Sequence, residues 1–171
     1  MIHLYYGDGK GKTTAALGLA VRALGSGFRV VIVQFLKNHE TGELSILDGL
    51  AGVTVLRGKE GSEFSFAMTE EQKEKTRRLH SLNLKAAMEL ADSGNCDMLV
   101  LDEVVGAYAR DLIDRKLLEE FVRNKRPELE LVMTGRNPAT WMIDCADYAS
   151  EIRKIKHPYD RGVPARTGIE K

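Results

Sequence analysis

The chain has 171 residues, enough for one domain with its own hydrophobic core. Apolar residues make up 43% and charged residues 29%, a balance that excludes an intrinsically disordered chain. Lysine plus arginine and aspartate plus glutamate both number 25, so no global basic field is available to recruit nucleic acid. The longest apolar stretch, residues 30–36, is too short to span a bilayer. We expect one domain, residues 1–171, without a nucleic-acid or membrane partner.

Two features of the sequence predict a cytoplasmic protein. The N-terminus opens directly into a strand-like run, without the charged and apolar regions of a secretion signal. Cys96 and Cys145 stand apart, without a C-x-x-C or a paired metal spacing. We therefore expect two reduced thiols in a cytosolic protein.

Apolar strand-like runs alternate with helical periodicity along the chain. Strands are predicted at Ile2–Tyr6 and at residues 28–35, 53–56, 98–101, 129–134 and 148–155. Helices are predicted at residues 12–24 and 69–92, at Arg115–Asn124, and from Asn137, the N-cap, and Pro138, the first helical residue. Because such alternation favours parallel pairing, we expect an α/β protein with a three-layer, open, mainly parallel sheet and helices on both faces.

The longest predicted helix has a clear start signal. Thr69 and Gln72 have the spacing of a capping box, in which each side chain accepts a hydrogen bond from the other residue's backbone N–H. Its predicted apolar face comprises Leu79, Leu82, Ala86 and Leu90.

The segment between the first strand and the first helix has the pattern of a P-loop with one residue missing. Three residues separate Gly7 from Gly11, where G-x-x-x-x-G-K-[ST] has four, and Lys12 and Thr13 follow as that pattern requires. In such a loop the amides form an anion-binding nest, the lysine supplies a charge and the hydroxyl can ligate Mg²⁺. The alternative is a Gly-rich turn with incidental lysines.

Acidic and basic residues follow two later strands. Asp102 and Glu103 end the run from residue 98, where an acid of a P-loop protein holds Mg²⁺ directly or through water. We favour Glu103 as the ligand and leave Asp102 open; a solvated turn is the alternative. Arg136 follows the next strand, where ligands bind in open α/β sheets, and is either an anion contact or a surface arginine.

Two irregular segments are candidates for ligand contacts. Residues 156–171 carry basic residues among glycine and proline, and form either a solvated tail or a lid over the ligand. The segment at residues 57–68 contains Phe64 and Phe66, which serve either as core residues or as an apolar wall for a bulky planar ligand.

Together these motifs resemble the ATP:corrinoid adenosyltransferases of the RecA-like P-loop type, over nearly the whole chain. The matching pieces are residues 7–16, 33–37, 42–43, 101–103, 134–136, 156–160, 162–163 and 168–170. The resemblance implies a RecA-like P-loop NTPase fold and a reaction in which Co(I) of a reduced corrinoid attacks the 5′ carbon of ATP and expels triphosphate. The corrinoid is cobalamin or cobyrinic acid a,c-diamide, in adenosylcobalamin biosynthesis or salvage.

The resemblance also implies roles for individual residues. The nucleotide contacts are Gly7, Asp8, Gly9, Lys10, Gly11, Lys12, Thr13, Thr14, Arg136 and His157. Lys10, Lys12 and Glu103 act in catalysis, Thr13, Glu103 and Asp102 hold Mg²⁺, and Phe64, Phe66 and Arg161 contact the corrinoid. We infer that the shortened loop suits a triphosphate that leaves as one unit, because no bond to the terminal phosphate breaks.

By analogy we also expect a reduced flavoprotein as electron donor and a homodimer. Two other functions stay open on the residues alone. One is a small P-loop kinase or ligase, which would release ADP rather than triphosphate. The other is a non-catalytic, ATP-dependent corrinoid escort.

Overall fold

The computed structural model describes residues 1–37, 42–47, 49–58 and 68–170. Phe64 and Phe66 lie outside the described residues. The described elements follow one another in this order: β1 (Ile2–Tyr6), α1 (Lys12–Gly25), β2 (Val30–Gln34), α2 (Gly42–Leu47), β3 (Val53–Arg57), α3 (Glu70–Asp92), β4 (Met98–Asp102), α4 (Val104–Ala109), α5 (Arg115–Asn124), β5 (Glu130–Gly135), α6 (Thr140–Asp144), β6 (Tyr148–Glu151) and a 3₁₀ turn (Pro158–Arg161).

Within these ranges the strands form one sheet of six, in the order β3-β2-β4-β5-β1-β6, and every ladder is parallel. α1 and α2 pack on one face, and α3, α4, α5 and α6 pack on the other. The predicted three-layer α/β architecture is confirmed. β5 lies between β1 and β4, and because every ladder is parallel, the carboxyl ends of these strands meet at one edge.

The central strands are apolar on both faces because helices cover both faces. In β2 the side chains alternate between two cores: Val30 and Ile32 pack beneath α1, whereas Val31 and Val33 face the opposite layer. Every residue of this strand is buried, including Gln34 at its carboxyl end. The strand therefore carries one polar side chain to the edge of the sheet.

The helix boundaries depart from the sequence prediction in three places. α2 and α4 have six residues each and were not predicted, since one or two turns give no clear periodicity. The last helix starts later than predicted: Asn137 takes a left-handed φ of 52°, and Ala139 rather than Asn137 is the N-cap. Asparagine tolerates that conformation and forms a turn before the helix. None of the described helices is long and apolar enough to cross a membrane.

α3 begins as predicted, but its buried face differs. The Gln72 N–H donates to Thr69 Oγ1 at 3.2 Å, and the Thr69 N–H donates to Gln72 Oε1 at 2.7 Å, which completes the capping box. The predicted apolar face was wrong at Leu82, which is 62% exposed, whereas Leu90 of the same face is partly buried against the core. The buried face comprises Thr76, His80, Leu84, Ala87 and Ala91. His80 is buried because its Nδ1 donates to the Leu112 carbonyl at 2.8 Å, a pairing that an apolar pattern cannot detect.

Candidate nucleotide-binding site

The loop from Gly7 to Gly11 joins β1 to α1 at the carboxyl edge of the sheet. Lys12 opens α1 and lies on its buried stripe with Ala16, Ala20 and Ala23. Its Nζ donates to the Gly9 carbonyl at 2.7 Å, so the ammonium group closes back over the loop. Burial lowers the pKa of Lys12, and the negative charge of Glu103 opposes that shift. The lysine is therefore held inside the loop, where a phosphate would meet it.

The glycines of the loop are required by a close approach of the chain after β6. A Cβ at Gly7 would lie 2.5 Å from the Ile152 carbonyl oxygen, and one at Gly9 would lie 2.8 Å from the Arg153 carbonyl carbon. Gly7 also has a φ of 115°, which side-chain-bearing residues rarely adopt. The Gly9 N–H donates to the Ile152 carbonyl at 2.8 Å. Residues 152–153 therefore fix the outer wall of the loop.

Two amides of the loop are already engaged within the protein. The Gly7 N–H donates to the Gly135 carbonyl at 3.2 Å, and the Gly9 N–H to Ile152 as described. The amides at the start of α1, including that of Thr13, are the ones that helix geometry directs toward an anion. Lys10 and Thr14 are exposed beside them. The role of each loop residue in binding nucleotide stays a prediction.

Asp102 is the buried centre of the site. Its side chain is 1% exposed, and its Oδ1 accepts hydrogen bonds from the hydroxyls of Thr13 and Thr134, both at 2.8 Å. The Thr134 hydroxyl in turn accepts from the Glu103 N–H at 2.8 Å. These bonds join the first turn of α1 to the carboxyl ends of β4 and β5. The structure therefore brings the loop and the two strand ends together, as predicted.

Lys37 completes the surroundings of Asp102, although the sequence did not single it out. Its Nζ lies 2.7 Å from Asp102 Oδ2 and 3.6 Å from Glu43 Oε1. The shorter contact is an ion pair, and because a carboxylate oxygen can accept more than one hydrogen bond, Oδ2 keeps acceptor capacity for a ligand. Leu36 reverses the chain with a φ of 57°, and its N–H points at His80 Nε2 at 3.5 Å. This turn carries Lys37 from the end of β2 into the site.

Glu103 sits at the entrance to α4 in a left-handed conformation, with φ 61°. Burial raises its pKa, the charge of Asp102 raises it further, and Lys12, Lys37 and Arg136 oppose the shift. Arg136 is exposed and interacts electrostatically with both Glu103 and Lys12. Three cationic side chains, from Lys12, Lys37 and Arg136, thus surround the neighbouring carboxylates of Asp102 and Glu103.

The donor groups of this site suit Mg²⁺ bound together with phosphates. The described residues contain no cluster of three or more His, Cys, Asp or Glu side chains that could hold a metal ion. The Thr13 hydroxyl, however, gives its proton to Asp102 and keeps its lone pairs for a cation, and Asp102 Oδ2 keeps an acceptor position. Mg²⁺ is commonly bound through one or two protein oxygens, its own waters and substrate phosphates. Thr13, Asp102 and Glu103 fit that requirement.

The C-terminal tail returns to the loop. The Lys154 N–H donates to Asp8 Oδ1 at 2.9 Å and lowers the pKa of that carboxyl group, while Lys154 Nζ donates to Asp160 Oδ1 at 3.0 Å. Glu170 interacts electrostatically with Lys10. β6 ends at Glu151 rather than at residue 155 as predicted, because the chain after it turns to pack on the loop.

Two predicted tail residues have local roles in the structure. His157 caps the 3₁₀ turn, since its Nδ1 accepts from the Tyr159 N–H at 3.2 Å. Arg161 ends the same turn and is exposed. Their roles toward nucleotide and corrinoid stay predictions.

The structure adds parts to the site that were not predicted as site residues: Gln34, Lys37, Thr134 and residues 152–153. A signal existed for the first three, because Gln34 and Lys37 lie in the matching piece at residues 33–37 and Thr134 in that at residues 134–136. Residues 152–153 carry no local signal and reach the site only through the path of the folded chain.

Comparisons with known proteins identify the family. EssC (ATPases 2 and 3) from Geobacillus thermodenitrificans aligns with 98% of this chain and 34% of its own, at 13% identity and a TM-score of 0.49. A corrinoid adenosyltransferase of Escherichia coli K12 is 36% identical, and the corrinoid adenosyltransferase CobA of Salmonella typhimurium 35%; each alignment covers 99% of this chain and 85% of the relative. The family model described as ATP:corrinoid adenosyltransferase BtuR/CobO/CobP matches residues 1–170. This chain therefore belongs to the ATP:corrinoid adenosyltransferase family.

Proposed function

We propose that this chain transfers the 5′-deoxyadenosyl group of ATP to Co(I) of a reduced corrinoid, in adenosylcobalamin biosynthesis or salvage. The electron pair of Co(I) forms the cobalt–carbon bond as the bond between the 5′ carbon and oxygen breaks, and that bonding pair leaves on triphosphate. The observation that carries the proposal is a shortened, lysine-bearing P-loop in a member of this family. Family membership disfavours the kinase, ligase and escort alternatives.

The charge distribution supports this reaction. Negative charge grows on the leaving triphosphate, so catalysis needs positive groups that are in place before the bond breaks. Lys10, Lys12 and Arg136 lie around the loop, and the N-terminal end of α1 adds its partial positive charge. Lys12 and Lys10 would hold the triphosphate, and Glu103 would act through the metal. Mg²⁺, held by Thr13 with Asp102 or Glu103, would offset the charge on the leaving group.

Incubation with ATP, Mg²⁺ and chemically reduced corrinoid tests the proposal. Cobalamin and cobyrinic acid a,c-diamide are supplied separately, and the corrin absorbance reports the alkylated product. Phosphate analysis of a single turnover should find triphosphate, whereas ADP would point to a kinase or ligase. Tight binding of ATP and corrinoid without a cobalt–carbon bond would point to an escort. Lys12→Ala should remove activity while the protein stays folded.

Several finer features rest on the resemblance. We propose a cytoplasmic homodimer that receives electrons from a reduced flavoprotein, with Phe64, Phe66 and Arg161 at the corrinoid. We also propose one catalytic domain in which residues 156–171 act as a lid over the nucleotide, together with His157. The lid is supported by Lys154, which bonds Asp8 of the loop through its N–H and Asp160 of the tail through its side chain. Sedimentation analysis tests the dimer, and ATP protection of the tail from proteolysis tests the lid.

A further inference from the structure

Gln34 is a buried side chain whose polar atoms are unsatisfied. It is 1% exposed, yet neither its Nε2 nor its Oε1 has a hydrogen-bond partner among the described residues. Burial of an unpaired carboxamide is unfavourable, and native proteins pair nearly all such groups with protein, water or ligand. For Gln34 we therefore expect a partner that the described residues do not supply.

The side chain lies on the same face of the sheet as the nucleotide loop. Ile32, two residues earlier in β2, packs beneath α1, and side chains two apart in a strand share a face. Gln34 pairs in register with Asp102 of β4, and Val100, two residues before Asp102, also packs beneath α1. Gln34 and Asp102 thus lie side by side on the α1 face, where Thr13 contacts Asp102.

Asp102 offers a second acceptor beside Gln34. Its Oδ2 is paired with Lys37 Nζ at 2.7 Å, and a carboxylate oxygen can accept a further hydrogen bond. Two acceptors, Gln34 Oε1 and Asp102 Oδ2, and one donor group, Gln34 Nε2, therefore occupy neighbouring positions. A water bound to a cation has two protons to donate, and a phosphate oxygen can accept. Both are present in a hydrated magnesium–triphosphate unit.

We propose that Gln34 is a ligand contact whose carboxamide hydrogen-bonds an oxygen of the magnesium–triphosphate unit, either a metal-bound water or a phosphate oxygen. That the nucleotide is ATP rests on the proposed function.

Gln34→Met tests this contact, because methionine has a similar length and lacks both polar atoms. Without ligand, the variant should unfold at the same urea concentration as the parent protein or a higher one, since it removes an unsatisfied amide. Its affinity for MgATP should fall about tenfold, the size expected for a lost hydrogen bond to a charged ligand. Titration calorimetry without corrinoid measures that affinity and does not depend on cobalt–carbon bond formation.

Repeating the titration with ATP and EDTA distinguishes the two sources of oxygen. A loss of affinity that requires Mg²⁺ assigns the contact to a metal-bound water, whereas an equal loss without Mg²⁺ assigns it to a phosphate oxygen. Ile32→Met, on the same face and fully buried, is the control and should leave MgATP affinity unchanged.

Parent-like MgATP affinity in Gln34→Met would overturn the proposal, even if the protein makes cobalt–carbon bonds. If Gln34→Met does not fold, Gln34→Leu applies the same test, because leucine also lacks both polar atoms and adds no charge. Weaker MgATP binding by that variant would support the contact, and unchanged binding would refute it. If the parent protein forms no cobalt–carbon bond, the proposed function fails, whereas the calorimetric result still decides the role of Gln34.

Discussion

At the scale of single residues, the site depends on the buried carboxylate of Asp102, whose close counter-ion among the described residues is Lys37. We predict that Lys37→Met lowers the free energy of unfolding by about 1–3 kcal/mol, because it leaves Asp102 as a buried charge without that partner. Urea denaturation at neutral pH measures the loss. Lys154→Met is the matched control: its ion pair with Asp160 is exposed, so its loss should be below about 1 kcal/mol. Equal losses in the two variants would contradict the prediction.

The partly buried carboxyl group of Glu103 should make the stability of the protein depend on pH. Burial and the neighbouring Asp102 raise its pKa above the ordinary 4.5, so its charged form is disfavoured in the folded protein. Its contribution to stability is complete below pH 4.5 and is lost as pH rises through the folded-state pKa. We therefore expect Glu103→Gln to gain stability relative to the parent protein as pH rises from 4.5 toward neutrality. Urea denaturation at a series of pH values tests this, and a constant difference between the proteins would refute it.

At the scale of elements, the loop is held by the segment after β6. We predict that Gly9→Ala weakens MgATP binding more than about tenfold and destabilises the protein by about 1–3 kcal/mol, because the added methyl group would overlap the backbone of Arg153. Gly18→Ala is the control. It lies inside α1 with open space at the Cβ position, so it should stabilise the protein by up to about 1 kcal/mol. Calorimetry and urea denaturation measure both effects; normal MgATP binding by Gly9→Ala would contradict the proposed packing.

The elements also show what a sequence pattern can and cannot predict. The helix predicted around Arg115–Asn124 from its apolar residues forms at those residues, and the structure adds a cap from Asp114 at its start. Thr13 and the two acids at the end of β4 were expected at one metal site from the resemblance, with Glu103 favoured, and the structure brings the Thr13 hydroxyl to Asp102. Lys37 was not expected there, since it reaches the site through the left-handed turn at Leu36. The buried face of α3 was predicted incorrectly because it includes the polar His80, whose hydrogen bond to the Leu112 carbonyl, 32 residues later in the chain, makes its burial possible.

At the scale of the whole molecule, segments far apart in sequence assemble a local positive field in a protein of zero net charge. Lys10 and Lys12 come from the loop, Lys37 from the end of β2 and Arg136 from the end of β5. Asp102 and Glu103 balance part of this charge when no nucleotide is bound. A triphosphate with Mg²⁺ would contact both the cations and the carboxylates, so ligand binding should stabilise the strand ends and the tail together.

This arrangement predicts that the triphosphate moiety supplies most of the affinity for ATP. If the loop, the cations and the metal ligands grip the departing group as a unit, inorganic triphosphate with Mg²⁺ should compete with ATP and bind within about tenfold of its affinity. Diphosphate should bind more weakly, because it engages fewer of the same groups. Competition calorimetry at constant ionic strength measures these affinities. Lys12→Ala should lower the affinity for ATP and the affinity for triphosphate by a similar factor. A site that bound ATP well and ignored triphosphate would instead draw its affinity from adenosine, and the loop would then not be the main anion-binding element.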